Sequence, residues 1–193
     1  MALLSQRPAD DVQHRHLERM VKAIDNMSKV IRFTKDYEGM GTLEPRWQAL
    51  RTQWDLDSAK FDLGGVSLRF DVEGVEVNAD PMLERVFFNL FDNSLRHGGP
   101  VTSIGLSHST DGQDLLVVYA DNGCGVPVAE KESIYEMGYG SNTGLGLFLS
   151  QAILGMSGLT ISETGRPGEG AHFVTRVPPN RYRRPPSPVG PGA

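Results

Sequence analysis

The sequence is poor in cysteine, in clustered basic residues and in long apolar runs. Cys124 is the only cysteine in 193 residues, which excludes a disulfide within the chain and favours a reducing compartment. The net charge of −5 and the lack of a long basic run argue against nucleic acid as the main partner. No apolar run approaches the roughly 18 residues of a membrane span, and no signal-peptide pattern follows Met1. We therefore expect a cytoplasmic fragment with no membrane contact of its own, although its parent protein could be membrane-anchored.

Two familiar nucleotide-binding fingerprints are missing as well. The chain has no GxxxxGK(S/T) phosphate loop, and residues 138–144 do not form a dinucleotide-type GxGxxG. Any phosphate site in this protein must therefore be built from other elements.

Composition and periodicity divide the chain into four parts. Residues 1–9 are expected to be a disordered start, and residues 10–41 a long helix that ends at two glycines. Residues 42–178 form the main domain, and residues 179–193, rich in proline and glycine, are expected to be a disordered tail.

The long helix carries an apolar seam with spacings of three and four residues: Leu17, Met20, Ile24, Met27 and Ile31. Such a face needs a partner. Both interpretations remain open at this point, namely a homodimer or second helix across the seam, and an ordinary helix packed on its own domain.

The main domain alternates helical and strand-like segments. Pro45 predicts the start of a helix that runs to about Lys60, and Asp80-Pro81 predicts the start of another that runs to His97. Residues 66–72 and 75–78 predict one hairpin, residues 102–109 and 114–121 a second, residues 143–156 a helix, and residues 159–164 and 171–177 the closing strands. Two hairpins with helices on one side predict an α+β two-layer sandwich.

The helix before Gly98 has two organised faces. One is an apolar stripe for the core, and the other carries Asn89, Asn93, Arg96 and His97 at i, i+4, i+7 and i+8. An asparagine oxygen can ligate Mg²⁺, and an arginine can donate a fork of hydrogen bonds to phosphate. Taken alone, however, the pattern is explained more simply as a polar helix edge.

Glycine-rich segments follow at three places. Asp121 ends a strand and is followed by Gly123 and Gly125, which would let a ligand ring approach the backbone. Gly140 and Gly144 precede a helix whose first N–H groups suit phosphate, and residues 165–173 hold further glycines before a strand. Each segment could be an ordinary turn, but together they predict a phosphate-ligand site.

In this order the segments resemble the ATP-binding domain of sensor histidine kinases, in the superfamily shared with DNA gyrase, Hsp90 and MutL. NLFDNSLRH (89–97) resembles the N-box, DNGCG (121–125) the G1 box, IYEMGYG (134–140) the F-box, TGLGL (143–147) the G2 box, and GEGAHF (168–173) the closing G3 box. The resemblance implies the Bergerat fold, a mixed sheet of about five strands covered on one side by helices and preceded by a long helix. Residues 10–41 resemble the second helix of a dimerisation and histidine-phosphotransfer hairpin whose first helix is missing.

The resemblance also implies individual roles. Asn93 would ligate Mg²⁺ and Asn89 would line the phosphate side, while Arg96 and His97 would approach the phosphates and the ribose or base. Asp121 would accept a hydrogen bond from the adenine amino group. Asn89, Asn93 and Arg96 are thus the expected catalytic residues.

The remaining expected nucleotide contacts lie in the loops and are also implied by the resemblance. They are Gly123 and Gly125 in the adenine pocket, and Tyr139, Gly140, Thr143, Gly144, Leu145, Gly146 and Leu147 towards the phosphates. Residues 127–143 would form an ATP lid in which Tyr135 replaces the usual F-box phenylalanine.

One position favours a kinase over a hydrolase. Members of the superfamily that hydrolyse ATP carry a glutamate four residues before the metal-binding asparagine, as general base for water. This chain has Asn89 there, and an amide cannot accept a proton at neutral pH. The γ-phosphoryl group is then left for another nucleophile.

The acceptor histidine is not recognisable in this chain. Neither His14 nor His16 is followed by the acidic residue of an H-box, so we do not expect the fragment to phosphorylate itself. The implied partners are the H-box helix of the parent kinase and the receiver domain of a response regulator. Two alternatives remain, an anti-sigma-type serine kinase and a nucleotide-binding regulatory module without transferase activity.

Overall fold

A computed structural model describes residues 8–140 and 143–185, with side chains from residue 13 onward. The helices are α1 (Pro8–Gly39), α2 (Leu50–Ser58), α3 (Leu83–His97) and α4 (Gly146–Met156). The strands are β1 (Arg46–Ala49), β2 (Ser67–Phe70), β3 (Glu76–Ala79), β4 (Ser103–Asp111), β5 (Asp114–Asp121), β6 (Thr160–Glu163), β7 (His172–Val177) and β8 (Tyr182–Arg183). Helix α1 thus begins two residues earlier than predicted, and α4 begins three residues later.

The main sheet has five strands in the order β2-β4-β5-β7-β6. β2 lies parallel to β4, and the other neighbours are antiparallel. This confirms the predicted mixed sheet and the hairpin of β4 and β5. Alternate residues of β5 are buried, from Leu115 to Asp121, so one face of the strand points into the protein and carries a carboxylate at its end.

The core lies between the sheet and the apolar face of α3. Phe91 is fully buried, with its ring centroid 4.9 Å from that of Trp54 and 5.5 Å from that of Tyr119. Burying a side chain of this size stabilises a fold by about 1.5–3 kcal/mol. The apolar stripe therefore fixes the rotation of α3, and that rotation sets the direction of its polar face.

Two predictions for residues 45–78 were wrong. Residues 46–49 form β1 rather than the start of a helix, and residues 66–78 do not form a hairpin. β2 pairs with β4, whereas β3 pairs with β1 and β8 in a separate three-stranded sheet. Val72 and Val75, on either side of the turn, are almost completely buried, so core packing separates the two strands.

The start of the predicted disordered tail was also assigned wrongly, because residues 179–183 form a turn and β8. Arg183 pairs with Glu76 at 2.6 Å and lies over the ring of Trp47, and Arg181 donates to Asn78. These contacts hold β8 on β3. Residues 186–193 lie outside the described part of the chain.

The C-terminal part of helix α1 packs on the domain. Phe33 and Tyr37 pack on Phe148 of α4, and Asp36 pairs with Arg85 of α3 at 3.1 Å. The apolar seam and the neighbouring Val21 and Val30 are exposed. The exposed fractions are 47–70% for Leu17, Met20, Val21, Ile24, Met27, Val30 and Ile31. The C-terminal part of α1 therefore packs on its own domain, whereas the seam remains exposed to a partner. No helix within the described residues has the length and apolarity needed to cross a membrane.

Candidate functional site

The predicted site residues surround one cleft of about 580 Å³. All of them except Gly123 line it: Asn89, Asn93, Arg96, His97, Asp121, Gly125, Tyr139, Gly140, Thr143, Gly144, Leu145, Gly146 and Leu147. The walls are α3, the start of α4, the loop after β5 and one side of α1. Segments that are far apart in the sequence thus meet in a single space.

The polar face of α3 is held partly by α4. Asn89 Nδ2 donates to the carbonyl of Gly146 at 2.9 Å and to Ser150 Oγ at 3.0 Å. Asn93 Nδ2 is buried without a hydrogen-bond partner in the described structure, so its NH₂ group is left for an acceptor on a ligand. Arg96 pairs with Asp92 at 2.5 Å, and both side chains reach solvent. Because an exposed ion pair contributes little free energy, this pair can rearrange around a ligand at small cost in stability.

Asp121 is a buried carboxylate that is held by three protein donors. Its Oδ1 accepts from the N–H groups of Gly123 at 2.9 Å and Ala171 at 3.1 Å. Its Oδ2 accepts from Ser94 Oγ at 2.5 Å, and Ser94 in turn accepts from the hydroxyl of Tyr119 at 3.1 Å. Burial raises the pKa of Tyr119, so its phenol remains a neutral donor. The carboxylate is therefore fixed in orientation at the inner end of the cleft.

Ser94 and Tyr119 were not among the predicted site residues. A signal for both exists in the sequence. Ser94 is a polar residue on the apolar face of α3, four positions after Leu90, and it is almost completely buried. Tyr119 lies two residues before Asp121 and so shares its face of β5.

Glycines bring the backbone segments around Asp121 close together. A Cβ at Gly123 would collide with the carbonyl of Gly98, and one at Gly170 with the carbonyl of Asp121. At Gly125, φ is +69°, and a Cβ would lie 2.8 Å from two carbonyl oxygens of the 165–170 loop. Gly123 is thus a packing residue behind the cleft rather than part of its wall.

The loop before α4 folds back on itself at Gly144. Its φ is +61°, and its carbonyl accepts from the N–H of Gly138 at 3.3 Å. A Cβ there would collide with the backbone of Tyr139. The first turn of α4 has no side-chain cap at Leu145, so its N–H groups remain available to a ligand. An anion is the ligand that such a helix start prefers.

Within the predicted lid, residues 128–130 and 133–135 form single 3₁₀ turns. Tyr135 is 7% exposed, and its ring belongs to the core. Burial raises the pKa of Tyr135, and the charges of Glu163 and Glu132 raise it further. Residues 141–142, near the end of this segment, are outside the described part of the chain.

Helix α1 contributes charged groups that the sequence pattern did not assign to the site. Asp25, Lys29 and Arg32 line the outer part of the cleft, and Lys29 pairs with Asp25 at 2.8 Å. The hydrogen bond from Lys29 lowers the pKa of Asp25. Because charged residues are usual on any solvated helix, their sequence positions carried no signal of this placement.

The fold and the cleft define a nucleotide-binding domain of the superfamily that includes histidine kinases, DNA gyrase, Hsp90 and MutL. Residues 78–181 match the family described as histidine kinase-, DNA gyrase B- and HSP90-like ATPase. This chain belongs to that family.

Individual proteins are similar to this chain in sequence or in structure. The histidine-protein kinase AtoS of Escherichia coli is 28% identical over 195 residues, which cover 92% of this chain and 31% of AtoS. Full-length ShkA in complex with AMPPNP superposes with a TM-score of 0.61 at 20% identity, over 92% of this chain and 40% of ShkA. Histidine kinase ThkA in complex with the response regulator TrrA gives 0.66 at 20% identity, over 91% of this chain and 53% of ThkA. The chain spans 12–31% of the length of its first curated relatives.

Proposed function

We propose that this chain is the ATP-binding catalytic part of a two-component sensor histidine kinase. Residues 42–178 would be the catalytic domain, and residues 10–41 the second helix of the dimerisation hairpin. The observation that carries the proposal is the cleft in which the polar face of α3, Asp121 and the loop before α4 meet. The cleft combines the buried carboxylate of Asp121, the free N–H groups at the start of α4 and the cationic side chain of Arg96. An adenine nucleotide requires groups of these three kinds.

The residues present fit a magnesium ion bound together with phosphate. No cluster of three or more His, Cys, Asp or Glu side chains suited to a metal exists in the described residues, so the protein offers no all-carboxylate cage. Mg²⁺ prefers oxygen ligands and usually keeps waters and phosphate oxygens. Asn93 lines the cleft, and its Oδ1 would supply the protein oxygen, while its Nδ2, which has no protein partner, is left to donate to an acceptor on the ligand. When bound, the ion would neutralise part of the negative charge of the phosphates.

Asn89 supports phosphoryl transfer over hydrolysis. Its Nδ2 already donates to Gly146 and Ser150, so the side chain is fixed as part of the α3–α4 contact. It cannot act as general base for water. In the proposed reaction a histidine ring nitrogen bonds to the γ-phosphorus, the bond to the bridging oxygen breaks, and ADP leaves.

The acceptor and the final partner lie outside this chain. The exposed seam of α1 would pair with the H-box helix of the parent kinase and with a second copy in a homodimer. A response regulator receiver domain would then take the phosphoryl group. The complex of ThkA with a response regulator supports this kind of partner.

A reconstitution experiment tests the proposal. Binding of ATP is first measured by calorimetry with Mg²⁺ and with EDTA, for the parent chain and for Asn93→Ala. The chain is then mixed with a separately made H-box hairpin and [γ-³²P]ATP. We expect acid-labile phosphate on the hairpin histidine with the parent chain and none with the variant.

Other outcomes would contradict the proposal in distinct ways. Binding of ATP without transfer to any hairpin would favour a regulatory module. Acid-stable phosphoserine on a partner would favour a serine kinase. Absence of nucleotide binding would remove the proposal altogether.

A further inference from the structure

Glu163, the last residue of β6, is a buried carboxylate that lies outside the cleft. Its side chain has no solvent exposure. Oε1 accepts from the N–H groups of Gly165 at 2.8 Å and His172 at 2.9 Å, and Oε2 lies 2.8 Å from Lys131 Nζ. One side chain thus holds both ends of the 164–171 loop and one cation.

Lys131 belongs to the segment proposed as the ATP lid, between its two 3₁₀ turns. Its side chain is 19% exposed, and its ammonium group also donates to the carbonyl of Gly165. Lys131 therefore ties the lid to Gly165 of the 164–171 loop and to Glu163 at the end of β6. The buried ring of Tyr135 follows four residues later, and the raised pKa of its phenol reflects the nearby charge of Glu163 as well as burial.

The 164–171 loop forms the support of the Asp121 pocket. Ala171 exchanges hydrogen bonds with Asp121, from its N–H to Oδ1 at 3.1 Å and from the N–H of Asp121 to its carbonyl at 3.0 Å. Gly168 N–H donates to the carbonyl of Cys124 at 2.7 Å. A shift of this loop would therefore move the donors that orient the Asp121 carboxylate.

Stability alone does not explain a buried ion pair at this place. Replacing such a pair with apolar residues of similar volume is often neutral or stabilising, because two charges lose their hydration. The two side chains join two backbone segments at fixed points. Glu163 Oε1 accepts two backbone N–H groups and Lys131 Nζ donates to the Gly165 carbonyl, whereas the contact of Nζ with Oε2 is an ion pair without hydrogen-bond geometry. Both segments adjoin the cleft.

We propose that Glu163 and Lys131 are positioning residues for the nucleotide, which hold the base of the lid and the adenine-side loop in one fixed arrangement. The inference rests on the proposed function, because it assumes that a nucleotide fills the cleft. The pair acts on the adenine end through Ala171 and Asp121, and it is separate from the metal end at Asn93.

Four variants test the proposal. Lys131→Met and Glu163→Gln each remove one charge, Lys131→Arg keeps the charge, and Glu76→Gln is the matched control. Glu76 pairs with Arg183 at 2.6 Å on the small sheet, and its side chain is 24% exposed. Thermal unfolding by circular dichroism confirms that each variant is folded at the assay temperature. If Glu163→Gln does not fold, the proposal is tested with Lys131→Met alone.

Two readouts separate positioning from general stability. The first is the Kd of ADP with Mg²⁺ and with EDTA. The second is the rate at which chymotrypsin cuts the lid after Tyr135 or Tyr139 without nucleotide, which reports local opening. We expect both charge-removing variants to raise the Kd of ADP roughly tenfold, which corresponds to about 1.4 kcal/mol, and to leave the ratio of the two Kd values unchanged. They should also speed lid cleavage, whereas Lys131→Arg and Glu76→Gln should behave as the parent.

Several results would overturn the inference. Folded Lys131→Met and Glu163→Gln that bind ADP and resist cleavage like the parent would show that the pair positions nothing. Equal defects in Lys131→Arg and Lys131→Met would show that the charge is not what acts. A parent chain that binds no nucleotide would instead refute the proposed function, and the cleavage rates would still test the link between pair and lid.

Discussion

Replacing Asp121 by asparagine removes one negative charge from the inner end of the cleft and almost no volume. Oδ1 accepts two backbone N–H groups, so the amide oxygen of the asparagine has to take that position. The new NH₂ group then faces Ser94 Oγ, where Oδ2 had accepted a hydrogen bond at 2.5 Å. A donor replaces an acceptor at the side where the adenine amino group would bind.

The expected loss follows from the hydrogen bond to a charged acceptor. Such a bond contributes about 1.5–3 kcal/mol, against about 0.5–1.5 kcal/mol for a neutral pair. Losing it should cost about 1–3 kcal/mol of ATP affinity, or roughly 5- to 150-fold in Kd. Ser94→Ala keeps the Asp121 charge, so it should weaken ATP by less than Asp121→Asn.

Calorimetric titration of ATP into the parent, Asp121→Asn and Ser94→Ala checks this order. Circular dichroism shows that each protein is folded before the titration. Asp121→Asn that is folded and binds ATP as tightly as the parent would refute the assignment of adenine recognition to Asp121. A larger loss in Ser94→Ala would refute the argument from charge.

Three further predictions concern the metal, the packing and the pH dependence. Asn93→Ala should abolish the gain in ATP affinity that Mg²⁺ gives, measured as the ratio of Kd values with Mg²⁺ and with EDTA. Gly123→Ala should lower the free energy of unfolding in urea by about 1–3 kcal/mol, because its methyl group would collide with the Gly98 carbonyl. Burial raises the pKa of Asp57, an effect that Lys60 partly offsets, so the folded state binds this proton more tightly than the unfolded state. The stability of the parent relative to Asp57→Asn should therefore be highest below about pH 4, where Asp57 is protonated in both states, and fall as the pH rises through the raised pKa of the folded state.

Matched variants control these measurements. Gly155→Ala places a methyl group in α4 where nothing lies within 4 Å, so it should not destabilise the protein. Asp55→Asn removes an exposed carboxylate from the same helix and is the matched control for Asp57→Asn. The metal assignment would be contradicted if Asn93→Ala kept the parent's ratio of Kd values with Mg²⁺ and with EDTA. The packing argument would be contradicted if Gly123→Ala and Gly155→Ala were equally stable. The pH argument would be contradicted if Asp57→Asn and the parent had parallel pH profiles.

The features that the sequence predicted correctly depend on short-range patterns. The two faces of α3 follow from helical periodicity, and the β4–β5 hairpin follows from alternation around Asp111-Gly112. Motif order then indicated which segments share a cleft. Periodicity could not show that β2 and β3 belong to different sheets, because each pairs with strands that are distant in the chain.

Isolated residues were the hardest to assign. β8 is two residues long and depends on contacts of Arg183 with Glu76 and Trp47, which only the folded chain brings together. Glu163 and Lys131 are single charged residues in segments that read as an ordinary strand and loop. Their pairing at 2.8 Å links positions 32 residues apart, and no local pattern encodes it.

The exposed seam of α1 has a practical consequence for every stability measurement on this protein. Self-association through this face would be coupled to helix formation by mass action, so dilution would favour melting of α1 before the rest. The melting temperature of α1 would then rise with protein concentration, while that of the sheet domain would not. Unfolding curves are therefore best recorded over a dilution series, with the helix and the domain followed by separate probes.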